Sequence, residues 1–320
     1  MQPSIRYWLF AALAGLAVSS AAQDYPGRPV RLVDPFSPGG STDVLARIVG
    51  GKLSERLGQS FVVENRAGGG GNIGADLVAK SKPDGYVLLV AGVVQAIGVT
   101  LYRKLPYDLA KDLAPVIQLA TFPSLIIVHP SLPVKSVAEL LALVKARPGE
   151  LNFGANPGSP NHLAMELFNS MGKVQMVHIG YKGAGPVVTD VVAGQLHLAS
   201  VGFPSGWTQV QAGRVRAIAV TSTTRSPLLP AVPTVGESGL PGYDVTSWYG
   251  VYAPAGTPNG IITKLNTEIT AVLKAPDVAE RLASLGAEPA PTSPEEFGRI
   301  TRDEIRKWAE VVKASGARAD

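Results

Sequence analysis

Short, unbroken apolar runs recur along this chain, each ending in a glycine- or proline-rich loop that leads into apolar residues at helical spacing. A run buried on both faces marks a parallel-sheet strand, and parallel strands need a long crossover between them, usually a helix. The pattern starts early. Arg31 to Val33 reads as a strand, Phe36 to Asp43 as a loop, and Val44, Leu45, Ile48, Val49, Leu53 and Leu57 as one face of a helix that stops at Gly58. Phe61 to Val63 and Val87 to Val90 read as the next strands, with a turn at Pro83-Asp84-Gly85. Right-handed crossovers then gather the loops Phe36–Asp43 and Gly92–Gln95 at one sheet edge, where ligands of such sheets bind.

The device repeats. Leu113 to Leu119 and Leu125 to Val128 read as two strands bounding Thr121-Phe122-Pro123. A second series follows: a helix opened by Ser136 and Glu139 as a capping box, a strand at Leu151–Gly154, and a loop at Asn156–Pro160 before a helix carrying Leu163, Leu167 and Phe168. Val174–Ile179 is a further strand, and Tyr181-Lys182-Gly183-Ala184-Gly185-Pro186 opens another helix. Leu196–Ala199 and Arg216–Val220 complete this half, with Trp207 on the helix between them. Thr234 with Glu237 spells another capping box, and Trp248–Ala253 another strand. Three helices finish the chain, the last opened by Ser293-Pro294-Glu295-Glu296. Its apolar stripe Phe297, Ile300, Ile305, Trp308 and Val312 reads as a core face. The expected fold class is α/β, a mostly parallel sheet flanked by helices in each half.

The first loop carries the chemistry. Pro38, Gly39 and Gly40 bar regular structure, while Ser41, Thr42 and Asp43 belong to a helix start. Free N–H groups there, backed by the helix dipole, favour an anion such as a carboxylate. A tight structural turn fits the same residues. The four glycines before Asn72-Ile73-Gly74 lack the lysine of a P-loop and the spacing of a dinucleotide fingerprint, so they read as a backbone turn capped by Asn72.

Function classes fall away on composition. No Lys/Arg run accompanies the formal charge of +4, which argues against a nucleic-acid partner. Without cysteine there is no disulfide, thiolate nucleophile or sulfur-ligated metal, and the 4 histidines show no metal-ligand spacing. Neither a metal nor a cofactor is expected. Residues 1–22 read as an export signal: Arg6, an apolar run from Tyr7 to Val18, then Ser20-Ala21-Ala22. The run is shorter than the roughly 20 residues that cross a bilayer.

Several motifs in order, Tyr25-Pro26-Gly27-Arg28-Pro29, Pro38-Gly39-Gly40-Ser41-Thr42-Asp43, Val63-Glu64-Asn65-Arg66, Pro83-Asp84-Gly85-Tyr86, Tyr181-Lys182-Gly183, Pro233-Thr234, Pro241-Gly242-Tyr243 and Ala253-Pro254-Ala255-Gly256-Thr257-Pro258, resemble the Bug, or tripartite tricarboxylate transporter, substrate-binding proteins of the bacterial periplasm. The resemblance implies a two-lobed periplasmic binding protein of type II-like form, with lobe 1 at 23–126 and 248–320, lobe 2 at 127–247, and a ligand cleft between them. It implies a small organic carboxylate, clasped partly through ordered waters by Phe36, Gly40, Ser41 and Thr42 from one lobe and Ser159, Asn161 and His162 from the other. Gln95, Gly183, Ala184 and Ser200 are candidates for the far end. The family usually has Asp where this chain has His197, which would weaken a preference for amines. His162 is expected to be neutral, and His197 reads first as a partly buried structural residue.

The implied partners are the membrane permease subunits of a tripartite tricarboxylate transporter, serving a monomeric receptor. A sensor presenting its bound anion to a membrane kinase is the alternative, and an α/β enzyme acting on a small anion a more distant one. The mature chain is expected to begin near Gln23 and to fractionate with soluble periplasmic protein. Recovery in membranes with Met1 intact would overturn this.

Overall fold

A computed structural model describes residues 25–319. The export signal read at residues 1–22, and the cleavage point near Gln23, lie outside the described residues. Among those described, no helix is long and apolar enough to cross a membrane.

The chain begins as its pattern demands. β1 (Val30–Asp34) feeds α1 (Ser41–Leu57), β2 (Phe61–Asn65) reaches α2 (Asn72–Ala79) through a 3-10 turn at Gly69–Gly71, and β3 (Val87–Gly92) passes directly into α3 (Val93–Leu101). Next comes β4 (Leu113–Val128), then α4 (Val137–Ala146), β5 (Asn152–Ala155), α5 (Pro160–Gly172), β6 (Val177–Gly180), α6 (Ala184–Val192), β7 (Leu198–Gly202), α7 (Phe203–Gln211) and β8 (Arg216–Val220). The return strand β9 (Thr246–Pro254) leads to α8 (Asn259–Leu273), α9 (Pro276–Ser284), the two-residue β10 (Glu288–Pro289) and α10 (Pro294–Ser315).

All strands join one sheet in the order β2-β1-β3-β9-β4-β7-β5-β6, with β8 and β10 paired to β4. The parallel groups read from the sequence are present: β2, β1 and β3, and separately β6, β5 and β7. Each is completed by antiparallel pairs, β9 between β3 and β4 in the first, β4 with β7 and β8 in the second. The fold is thus the expected α/β form with mixed rather than wholly parallel sheets. Helices cover both faces. Along β3, Leu88 and Val90 enter one core with α1 and α8 residues while Leu89 and Ala91 enter another with α3 and α10. This alternation is the period-2 geometry of a strand buried on both sides.

One local reading needs correction, and two others are borne out in altered form. Leu113–Leu119 and Leu125–Val128 form one strand of 16 residues, since Pro123 sits within the ladder opposite Thr246. Asn72 does cap the glycine turn, through its backbone N–H, which donates to the Gly69 carbonyl; its side chain is engaged elsewhere, Oδ1 accepting from the Tyr107 hydroxyl at 3.1 Å, and Gly71 is the N-cap of α2. Thr234 and Glu237 do exchange both bonds of a capping box, at 2.9 and 3.0 Å, but only turns follow. The box closes this loop by itself and needs no helix.

α10 packs across β9 and β4. Glu304 accepts from both Trp248 Nε1 and Trp308 Nε1, at 3.1 and 2.9 Å, and Phe297 meets Trp248 edge-on at 5.5 Å. Its stripe is a core face, with Phe297, Trp308 and Val312 buried. Gly250 on β9 makes room for it: a Cβ there would lie 2.2 Å from Phe297 Cζ and 2.7 Å from the Ile117 carbonyl. Gly250→Ala is therefore expected to cost about 1–3 kcal/mol through overpacking. Gly51→Ala, with nothing within 4 Å on an exposed helix face, should gain up to about 1 kcal/mol. Urea unfolding of both variants checks this, and equal stabilities would contradict it.

Candidate functional site

The loop between β1 and α1 is held by two buried acids and one asparagine. Asp34 Oδ1 accepts from the Phe36 N–H at 3.1 Å, and Asp43 Oδ2 accepts from the Gly39 N–H at 3.0 Å. Asn65 Nδ2 reaches Asp34 Oδ2 at 2.8 Å, Asp43 Oδ1 at 3.0 Å and the Phe36 carbonyl at 3.1 Å, so its two protons are shared among three acceptors. Arg47, one turn along α1, grips Asp43 with both Nε and Nη2 at 2.9 and 2.8 Å.

These contacts set the charge at the loop. Hydrogen bonds from Arg47 outweigh burial and hold Asp43 down at about 2. Burial pushes Asp34 up to about 6; the Phe36 N–H opposes that rise and the nearby Asp43 charge adds to it. Asp43 is thus an anion in the first turn whose charge Arg47 answers.

The first turn itself is open. Gly40 is the N-cap of α1, and no side chain caps it, so Ser41, Thr42 and Asp43 supply N–H groups without intrahelical partners. Gly40 and Ser41 are exposed and Thr42 is buried. Ser41 also lines a cavity of about 140 Å³ with Gly39, Phe122, Pro204 and Leu285, which brings this loop opposite the start of α7.

Gln95 lies in the first turn of α3, buried, with Oε1 accepting from the Gly92 N–H at 2.9 Å. That bond fixes the carboxamide, and Nε2 has no partner. A Cβ on Gly71 would fall 2.5 Å from this nitrogen and 3.1 Å from the Phe36 ring, so Phe36, Gly71 and Gln95 form one cluster. The glycine turn therefore serves close packing. Gly70 meets the Tyr102 hydroxyl the same way, at 2.1 Å from a hypothetical Cβ.

On the other series, Ser159 caps α5 by accepting from the His162 N–H at 3.2 Å, and His162 Nδ1 accepts from the Gly158 N–H at 3.1 Å. The His162 ring stacks on His178 at 3.9 Å between centroids. Burial first, and then the neighbouring imidazole, push His178 below the usual histidine range. Asn161 Oδ1 accepts from Ser124 Oγ at 3.1 Å and from Ser200 Oγ at 3.4 Å. α6 starts at Gly183 without a side-chain cap, with Ala184 exposed.

The structure thus joins Phe36 to Gln95, Asn161 to Ser200, and Ser159 to His162. No hydrogen bond links Gly183 or Ala184 to the other candidates among the described residues. His197 sits elsewhere: its backbone and Nδ1 bond to Asn152 at the amino ends of β5 and β7, opposite the loops that carry the candidates. It is a strand fastener and has no bearing on a ligand's far end.

Sequence reasoning missed Asp34, Arg47 and Ser124. The i,i+4 spacing of Asp43 and Arg47 was visible; the others act across strands. Among the described residues no cluster of His, Asp and Glu could hold a metal ion.

Comparison with known proteins places these elements in a family context. TctC, the tripartite tricarboxylate transporter family receptor, matches residues 45–317. Protein BugT of Bordetella pertussis is 41% identical over 313 residues, covering 97% of this chain and 96% of its own. Among solved structures, R. palustris Rpa4515 with adipate is 42% identical with a TM-score of 0.79, covering 92% of this chain and 99% of that one. MatC from Rhodopseudomonas palustris with bound malate is 33% identical with a TM-score of 0.75, covering 90% and 100%.

The raised Asp34 gives a pH signature. Its folded value lies above the unfolded one, so the stability it contributes is full below about 4 and is lost as pH rises through about 6. Unfolding free energies of wild type minus Asp34→Asn, measured by urea titration, should fall across that window. A difference that stays flat would show that Asp34 titrates as it does in the unfolded chain.

Proposed function

The chain belongs to the TctC/Bug family of periplasmic solute-binding proteins, and from that premise we propose that it captures a small organic carboxylate between two lobes and delivers it to a tripartite tricarboxylate transporter. The observation that carries this reading is the uncapped first turn of α1. Its N–H groups point out of a helix start while Arg47 answers the Asp43 carboxylate beside them. An anion can be held there without a dedicated lysine or arginine.

Lobe 1 comprises 23–126 and 248–320 and lobe 2 comprises 127–247; β4 exchanges β9 for β7 between Pro123 and Ser124, three residues before that boundary. Phe36, Gly40, Ser41 and Thr42 face Ser159, Asn161 and His162 around the proximal carboxylate. Gln95, Gly183, Ala184 and Ser200 serve the far end. The buried, unpartnered Gln95 Nε2 supports that role, since buried donors ordinarily find an acceptor. Relatives solved with adipate and with malate make a dicarboxylate the first ligand to try. The ligand leaves unchanged, because the protein's task is capture and release to membrane permease subunits.

Calorimetric titration with adipate and malate, each as the free acid and as its dimethyl ester, tests the reading. The acid should bind and the ester should lose most of the affinity. A hydrogen bond to a charged group contributes about 1.5–3 kcal/mol, so Thr42→Val should weaken acid binding by about ten- to a hundredfold. An ester that binds as tightly as the acid, with Thr42→Val unchanged, would remove the anion from this loop. Deleting the gene separates transport from sensing: lost uptake supports delivery to a permease, whereas retained uptake with lost induction assigns the protein to a sensor.

A further inference from the structure

We propose that Ser124 and Thr221 are positioning residues that tie the orientation of the Asn161 carboxamide to the segments where the chain passes between the two halves of the sheet. The proposal rests on the carboxylate-binding reading, in which Asn161 touches the ligand.

Ser124 is where β4 changes partners. Pro123 is opposite Thr246 of β9, and Ser124 is opposite Gly202 of β7. Both Ser124 and Thr221 are buried, at 5% and 0% exposure, so their polar atoms must bond within the protein. Thr221 follows β8 and binds both passing segments at once. Its N–H donates to the Ser124 carbonyl at 2.9 Å, and its Oγ1 accepts from the Ser124 N–H at 3.0 Å. The hydroxyl proton goes to the Val245 carbonyl at 2.6 Å, while the Val245 N–H donates to the Thr221 carbonyl at 2.8 Å. Val245 directly precedes β9, the strand by which the chain returns. One threonine therefore clamps the outgoing and the returning chain.

The Ser124 hydroxyl carries this clamp to the site. It donates to Asn161 Oδ1 at 3.1 Å, and the buried Ser200, which lies opposite Ile126 in the ladder, donates to the same oxygen at 3.4 Å. Two hydroxyl donors on one oxygen fix which way the amide lies. The NH₂ end must point away from β4 and β7, and it has no hydrogen-bond partner among the described residues. Asn161 is the second residue of α5, so a donor is presented beside the helix start that Ser159 caps. A change in the angle between the two parts of β4 moves Ser124 against Thr221 and Val245, and Asn161 moves with it. An acceptor bound at Asn161 is felt at the crossing by the same bonds.

Two measurements test this. Without ligand, the side-chain amide resonances of Asn161, assigned by their loss in Asn161→Asp, should move in Ser124→Ala and also in Thr221→Val, although Thr221 makes no hydrogen bond to Asn161. Ser222→Ala, whose hydroxyl bonds only to the Thr224 carbonyl at 2.7 Å, should leave them in place. With adipate as probe, Ser124→Ala should bind about tenfold more weakly, the loss of one well-placed hydrogen bond, and discriminate acid from ester less. Ser124→Thr, which keeps the hydroxyl, should restore both. Thr221→Val should weaken adipate binding in the same direction with wild-type ligand contacts intact.

If Ser124→Ala keeps the wild-type acid preference, or the Asn161 resonances ignore Thr221→Val, the proposal is overturned. Should the wild type bind neither adipate nor malate, the functional reading fails on its own account. The ligand-free resonances then still decide the proposal: movement in Thr221→Val supports it and constancy overturns it.

Discussion

Strand β4 runs 16 residues without a break, and both halves of the molecule hang from it. Its first part is hydrogen-bonded to β9 and β10 and its second to β7 and β8, so every other strand reaches the sheet through it. Alternation along it supplies the cores on both sides: Ile126 and Val128 enter the cluster shared with α5 and α10, while Leu125 and Ile127 enter the one formed with α6 and α7. A buried strand of this length has no solvent to satisfy its N–H and C=O groups, which forces a new partner to begin where the old one ends. Ser124 stands at that exchange, and the strand's turnover point becomes a structural node as well as a boundary.

Backbone donors are left open at some helix starts of this molecule and closed at others. α5 and α10 are closed by serine caps, whereas at α3 Gln95 Oε1 accepts only from the N–H of the N-cap Gly92. α1, α6 and α7 begin at glycines with no side-chain cap. The difference follows from glycine having no oxygen to offer. At α1 the acids that might have filled the vacancy are engaged elsewhere: Asp43 with Gly39, Arg47 and Asn65, and Asp34 with Phe36 and Asn65. Burial cost at Asp34 and charge pairing at Asp43 move two carboxyls of one loop in opposite directions, to about 6 and about 2. The loop is thus tied down by bonds of its own that involve no ligand.

Much of the fold was legible from residue pattern, and the exceptions have physical causes. Apolar runs located β1, β3, β8 and β9 to within a few residues, because strands buried on both faces leave an unmistakable trace. β4 was read as two strands because proline and threonine punctuate most ladders, whereas here Pro123 occupies a ladder position. The Thr234–Glu237 box reproduced its bonds without its helix, since the box satisfies local N–H groups whatever follows it. His197 was read first as a structural residue, and its bonds to Asn152 at the amino ends of the strands agree with that reading.

What the sequence by itself determined is therefore local: strand, glycine loop and helix start, repeated, with the loops falling on one edge because crossovers of L-residues are right-handed. It also named the loop Phe36–Asp43 and the residues Ser159, Asn161 and His162 as neighbours in chain, each beside a helix start. Only the tertiary structure decided which way their donors face. Asn161 is oriented by Ser124 and Ser200, 37 and 39 positions away, and Asp34 is charged or neutral according to burial by strands on either side. Hydrogen bonds between residues so distant in sequence leave no periodic or compositional mark, since each partner is an ordinary serine, threonine or asparagine until the sheet brings them together.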